Sequence, residues 1–465
     1  MTSGLPKQPV QHTPDGTRDA SRSARISQSF LLASSTYGAG QVANLLFQLY
    51  LLKLIGAAEY GAVGLAHLLL ITLIFLADLG YSSLFLREPI RTADWQCGWR
   101  CALGHRLIAT LVLLALAITG WLLFGSEGSS RHYLLSAAPA CVFALFNFSS
   151  PTIAAGQRLT GLLLGQIAWP AALLCWWMLH SNLSLAATTT AGLSVSLGYL
   201  LQAIANIAYS RRAILWLPLP GKGNIGAAMH LSIMTVCGTL HDRLTAFLLA
   251  PLAPSFLPFY LILNHIISGL SGIQAQLSRL LLAEAASQQG HLKIVSVASL
   301  LTWATANVLL AGLLIQDLTP SMEHRYWLAL SAIVVMIWSL SAASGFLTLL
   351  LISARLERYF LRPFLIALGA SVLLQVLATW TGDGAYLLWA RLLAGLLTMA
   401  ALFGVLKMRL SHWGIAALLM SLIACAAGNT AWNLATAAIL LLPVLTGLLQ
   451  QRPCYLVTPR YRDQS

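Results

Sequence analysis

Between about residues 30 and 450 the chain is a near-continuous series of apolar stretches, each about 17 to 27 residues long, separated by short polar loops. A stretch of that length crosses roughly 30 Å of hydrocarbon as a helix. Backbone polar groups find no water in a bilayer, so serial helices satisfy them internally. With 58% of residues apolar and only 9% charged, the composition excludes an ordinary water-soluble domain. The expected fold class is an all-α polytopic membrane protein.

The spacing predicts 14 spanning helices. Six fall at about 27–52, 60–86, 103–124, 133–155, 161–180 and 185–209. Six more fall at about 227–251, 256–284, 294–316, 325–353, 361–381 and 384–408, followed by two shorter spans at 411–427 and 430–450. A hydrophilic connector, Ser210 to Asn224, separates the two sets of six. The hairpin turns Leu54–Val63 and Leu252–Leu261 occupy matching places in the two sets, which points to an internal repeat. The expected organisation is an N-terminal lobe over 27–209, a connector over 210–226, a C-terminal lobe over 227–408 and added helices over 409–450. Polar tails cover 1–26 and 451–465. The first apolar stretch is too long for a signal-peptide core, so the N-terminal tail reads as flexible.

Charge fixes the orientation. Outer loops in this arrangement carry only Lys53, Arg131 and Arg325, and Arg243 and Arg391 lie deep within spans. The other Lys and Arg residues face the cytoplasm, as the positive-inside rule requires with both termini inside. Topology therefore accounts for the net charge of +13, and the scattered basic residues form no nucleic-acid patch. The 7 cysteines sit mostly alone inside apolar runs. Cys97 and Cys101 lack a second ligand pair at zinc spacing, so no metal site is expected. No phosphate-cradling Gly-Lys-Ser/Thr loop is present, and no cofactor or catalytic residue is expected.

Polar residues inside the spans carry the functional signal, because an Asp or Arg near the bilayer centre costs about 2.5–3.5 kcal/mol. Helix 7 holds Asp242 and Arg243, adjacent in sequence and therefore splayed apart. Each must meet another helix or cavity water. Helix 8 places Asn264, Ser268, Ser271 and Arg279 on one face. Helix 1 does the same with Tyr37, Gln41, Asn44 and Gln48, and helix 6 with Tyr199, Gln202, Asn206 and Tyr209. His67 and Asp78 lie about three turns apart on helix 2. Arg391 stands alone in helix 12. Arginine suits an anionic headgroup, since its planar fork donates two hydrogen bonds at once. For the amides the alternative is structural, because interhelical hydrogen bonds of about 0.6 kcal/mol also hold bundles together. For Asp242, His67 and Asp78 the alternatives are cation coupling or countercharge on one side, and a plain packing role on the other.

The run Leu54-Ile-Gly-Ala-Ala-Glu-Tyr-Gly-Ala-Val63, followed by Asp78-Leu-Gly80 and Arg87-Glu88, resembles the first hairpin of the polysaccharide (O-unit type) flippases. Asp242-Arg243 with Phe259-Tyr260 is similar to the second-lobe pattern of that family, although Leu257-Pro258 replaces its usual Leu-Gly. The family belongs to the multidrug, oligosaccharidyl-lipid and polysaccharide exporter superfamily. The resemblance implies two six-helix bundles, here with two extra helices, that rock to alternate access across a bacterial cytoplasmic membrane. It implies an undecaprenyl-pyrophosphate-linked glycan as cargo and a polysaccharide polymerase as a partner. On that footing Arg243, Arg391, Asn44, Gln48, Asn264 and Arg279 are candidate substrate-binding residues. Asp242, Asp78 and His67 are candidate coupling or countercharge residues. A peptidoglycan-precursor flippase and a multidrug exporter share the architecture, and a membrane scaffold or integral glycosyltransferase is the reading from another class.

Overall fold

The computed structural model describes residues 15–87, 93–125, 128–182, 184–212, 214–284, 288–315, 322–353, 357–427, 430–450 and 457–459. Helices α1 (Asp15–Ala77), α2 (Tyr81–Arg87), α3 (Ala93–Phe124), α4 (Ser129–Ala137), α5 (Pro139–Phe143), α6 (Ser149–Ala154), α7 (Arg158–Gln166), α8 (Ala168–Asn182) and α9 (Ala187–Ser210) make the first half. The second half comprises α10 (Ile225–Leu252), α11 (Leu257–Glu284), α12 (Gln288–Ile315), α13 (Met322–Ser353), α14 (Glu357–Thr379) and α15 (Gly384–Leu406). After a short strand, β1 (Met408–Leu410), come α16 (His412–Ala427), α17 (Thr430–Gln450) and β2 (Val457–Pro459). The fold is that of a polytopic helical membrane protein. All 14 expected segments are helical, and 8 of the described helices are long and apolar enough to cross a bilayer outright.

The departures from the expected segments have local causes. Helices 1 and 2 run together as α1, which begins inside the stretch read as a tail and is broken at Gly56. Gly56 has φ 79° and ψ 164°, a conformation that only glycine adopts freely. The expected fourth helix is three pieces, α4, α5 and α6, and the fifth is split into α7 and α8 ahead of Pro170, whose ring cannot continue the hydrogen-bond ladder. Breaks free backbone groups that must be satisfied. Helix α9 satisfies them: Asn206 Oδ1 accepts from the Phe148 amide at 2.7 Å, and Gln202 Nε2 and Asn206 Nδ2 both donate to the Leu164 carbonyl, at 3.1 and 3.3 Å. Pro258 sits in the first turn of α11, where a missing N–H costs nothing, so the departure from Leu-Gly is accommodated without a break. The antiparallel ribbon β1–β2 pairs Arg409 with Thr458 and ties the end of the chain to the turn after α15.

In the first half α9 packs on α8 and α4, and α1 on α8 and α4; in the second, α12 packs on α13 and α17, and α14 and α13 on α15. The principal contact between halves is α1 against α11, supported by α1 and α2 against α10. The connector is docked on α3: Leu219 N donates to Arg100 O at 3.0 Å, Arg100 Nε donates to Leu217 O at 2.9 Å, and Trp216 packs on Trp99 at 5.5 Å between ring centres.

Candidate functional site

A cavity of about 560 Å³ opens between the halves, lined by α1, α10, α11, α13 and α15. Its polar wall is built from Asp242, Arg243, Asn264, Ser268, Ser271 and Arg391, with Tyr37 and Tyr260 beside them. The helical repeat explains this wall, because Asn264, Ser268 and Ser271 lie one turn apart along α11. Trp338 Nε1 donates to Ser271 Oγ at 2.9 Å and fixes one edge.

The two helix-7 charges point different ways. Asp242 forms an ion pair with Arg391 of α15, whose Nη1 also donates to the Asp242 carbonyl at 3.2 Å and to Thr245 Oγ1 at 2.7 Å. Thr245 Oγ1 donates a hydrogen bond to Gln375 Oε1 at 2.9 Å, and Gln375 Nε2 donates to His241 Nε2 at 3.0 Å and to Ser371 Oγ at 3.1 Å. Ser371 Oγ lies 2.5 Å from the same His241 nitrogen. Since Nε2 accepts from Gln375, the proton of neutral His241 belongs on Nδ1, which is 4.0 Å from Asp242 Oδ1. This network joins α10, α14 and α15 and borders a further cavity of about 430 Å³ within the second half. His241, Thr245, Ser371 and Gln375 were not among the sequence candidates. Only His241 carried a signal, as an ionisable residue next to Asp242 in an apolar run.

Arg243 is placed differently. Its Nε is buried and has no hydrogen-bond partner among the described residues. Its side chain lines the polar central cavity and also an apolar groove of about 610 Å³ formed by α1, α10 and α14, with Leu69, Leu73, Leu240, Leu244, Leu365 and Val372 on its walls. Leu240, Leu365 and Val372 are exposed, so the groove lies open on the outside of the bundle. One cation thus stands between a polar-walled space and an apolar one.

Asp78 pairs with Arg106 of α3 at 3.4 Å and caps α2 by accepting from Ser82 N at 2.9 Å and Ser82 Oγ at 2.7 Å. It lines a third cavity of about 380 Å³, walled mostly by the first half and closed by Ser232 and Val236 of α10, together with Gln41 and Arg106. The turn that carries it needs Gly80: φ there is 82°, and a Cβ would strike the Ala228 carbonyl and the Ser232 side chain of α10. The Asp78-Leu-Gly80 motif is therefore a cap followed by a close contact between the halves.

Other candidates lie elsewhere. Gln48 is fully buried, accepting from Tyr60 OH at 3.1 Å, and Asn44 is buried beside it on α1; neither lines these cavities. His67, 2% exposed, shares a hydrogen bond of 2.6 Å between Nδ1 and Tyr133 OH and packs on Trp169 and His265, also away from the cavities. Arg279 is on α11, but its side chain lies outside the described residues, as do those of Arg87 and Glu88. Among the described residues no group of three or more His, Cys, Asp or Glu could hold a metal ion.

No family model and no curated protein matches the sequence. Solved structures do. The lipid II flippase MurJ, in an inward closed conformation, superposes with a TM-score of 0.64 at 12% identity, over 90% of this chain and 99% of that one. A MOP-superfamily transporter from Pyrococcus furiosus gives 0.57 at 13% identity, over 87% and 96%. A MATE transporter in complex with MaL6 gives 0.55 at 12% identity, over 82% and 97%. The chain has the fold of these transporters. At such identities the likeness carries the architecture, and the cargo must be argued from the side chains.

Proposed function

We propose that this protein is a flippase for a lipid-linked oligosaccharide, an undecaprenyl-pyrophosphate repeat unit, in a bacterial cytoplasmic membrane with both termini inside. The observation that carries the reading is the position of Arg243. The proposed cargo has a polar glycan, a negative pyrophosphate and an apolar tail in that order, and Arg243 stands where a polar cavity meets an apolar groove. Arg243, whose Nε has no hydrogen-bond partner among the described residues, holds the phosphates with its planar guanidinium. Asn264 and Ser268 contact the adjoining polar part, and the tail stays in the groove and the surrounding lipid.

In this reading the lobes are residues 27–209 and 227–408, and their rocking alternates access to the cavity. Arg391 helps attract the anion but is held by Asp242, which acts as its countercharge. Asp78 plays the same part for Arg106. The flipped unit passes to a polymerase on the outer face. A multidrug exporter of soluble cations fits less well, since the central cavity sets Arg243 and Arg391 against a single acid, Asp242. The test is genetic and chemical: deleting the gene is expected to accumulate lipid-linked oligosaccharide on the inner leaflet, and wild-type protein but not Arg243→Ala is expected to clear it. Normal surface display of the glycan in the deletion strain would rule the reading out.

A further inference from the structure

The third cavity has a different chemistry from the other two. Its acid and its base, Asp78 and Arg106, compensate each other, so it offers no net charge to a ligand. The remaining polar lining is neutral, with amides from Gln41, Asn147, Gln166 and Gln202 and hydroxyls from Ser82, Ser83 and Ser232, and its aromatic lining includes Trp169 and Tyr199, whose rings meet edge-on at 6.3 Å. An amide side chain donates and accepts at once, which matches hydroxyl groups that do the same. Aromatic faces pack against the apolar C–H faces of a sugar ring. Arg106 is only 7% exposed, yet its Nε has no hydrogen-bond partner among the described residues. Its Nη2 lies 3.4 Å from Asp78 Oδ1, and the guanidinium as a whole brings further N–H donors to the cavity wall.

Local packing holds the amides in place. Gly40 of α1 leaves the space that the Gln166 side chain of α7 fills, and a Cβ there would collide with it. Gln202 Nε2 is tied to the Leu164 carbonyl, which leaves its Oε1 as the group available to the cavity. The cavity also adjoins the central one. Phe75 lines both, and Tyr37 and Gln41, one turn apart on α1, face the central and the third cavity respectively. Its volume of about 380 Å³ lies within the usual range for a small-molecule site.

We infer that this chamber, walled mostly by the N-terminal half, is a saccharide subsite: it takes a neutral, hydroxyl-rich sugar of the cargo while the pyrophosphate lies at Arg243 and Phe75 forms the wall between them. The inference rests on the flippase reading and names which part of the cargo each cavity contacts. Gln41 and Gln166 set the preference for the sugar, and Arg106 supplies a further donor.

The experiment uses the full-length protein in lipid nanodiscs, titrated with undecaprenyl pyrophosphate alone and with undecaprenyl pyrophosphate bearing glucose, galactose or N-acetylglucosamine. The wild type is expected to bind at least one sugar-bearing lipid about fivefold or more tighter than the bare lipid, the gain of about one hydrogen bond. Gln41→Ala and Gln166→Ala are expected to erase that increment and leave bare-lipid affinity within about twofold, with melting temperatures near wild type. Arg106→Lys, which keeps the charge opposite Asp78, is expected to lose part of it. Equal wild-type affinity for the bare and all sugar-bearing lipids overturns the subsite, as does an increment that survives in both glutamine variants. Arg243→Gln separates the two claims: if it leaves bare-lipid binding intact, the phosphate assignment fails while a glutamine-dependent sugar increment still stands. A wild type that binds none of the lipids removes the flippase reading and the subsite with it.

Discussion

Arg391 of α15 is bonded to both the side chain and the backbone carbonyl of Asp242 on α10, residues 149 positions apart. Asp242 therefore has a cation already in place. A role for it in binding a transported cation would require breaking this pair, whereas a role as countercharge requires only what the fold provides.

Removing one partner should expose that dependence. The Arg391 side chain is 11% exposed and that of Asp242 56%, so the loss in Arg391→Gln should fall between exposed and buried pairs, at about 1–2 kcal/mol. Asp242→Asn in the same chain should restore at least half of it, measured as unfolding in detergent. Strictly additive losses in the double variant would show that the two charges do not act as a pair.

His67 was a coupling candidate, and its surroundings argue for packing. Tyr133→Phe removes the Tyr133 hydroxyl bonded to its Nδ1, in a site whose Nε2 is already unpartnered among the described residues. The expected result is a stability loss of about 1–3 kcal/mol with export within about twofold of wild type. An altered pH profile of export in Tyr133→Phe or His67→Gln would place His67 in the coupling path instead.

Gly80 joins the two halves at a point with no spare room. Gly80→Ala imposes a left-handed conformation on a residue with a Cβ and drives that atom into α10 at Ala228 and Ser232. A loss of about 1–3 kcal/mol is expected, seen as a lower melting temperature and reduced yield in the membrane. Wild-type stability in that variant would mean the halves do not meet there in solution.

Hydropathy made the helices legible because each span must hide its backbone from lipid, a local requirement written in consecutive residues. Pro170 marks the break within helix 5 in the sequence, but the break within helix 4 was not legible. Residues 138–146 remain apolar up to Asn147, and what satisfies the Phe148 amide at the break is Asn206, on α9. Asn206 and Gln202 had the sequence signature of a polar stripe; the structure gives Asn206 wholly, and the Gln202 amide nitrogen, to backbone repair. Asp242 and Arg243 were correctly read as splayed, since adjacent helical residues point about 100° apart. Which of them meets Arg391 depends on how α10 and α15 pack, and no local pattern encodes that. The third cavity went unread for the same reason: Gln41, Gln166, Gln202 and Arg106 come from four separate helices.

Arg106→Gln should also report on the cap. It leaves Asp78 with its Ser82 bonds but no cation, and because the pair is more enclosed than Asp242–Arg391, with side chains 9% and 18% exposed, a stability loss of about 1–3 kcal/mol is expected, part of which Asp78→Asn in the same chain should restore. Identical unfolding of the wild type and Arg106→Gln at low and high salt would show that the pair contributes nothing.

The central claim is that the cation between the polar cavity and the apolar groove receives the phosphates of a lipid carrier. Its most direct test compares undecaprenyl pyrophosphate with uncharged undecaprenol for binding to the wild type and to Arg243→Gln in nanodiscs. The account predicts that the wild type prefers the charged lipid by about tenfold or more and that the variant loses the preference without losing stability. Equal affinity of the wild type for the two lipids, or a preference that persists in Arg243→Gln, would contradict it.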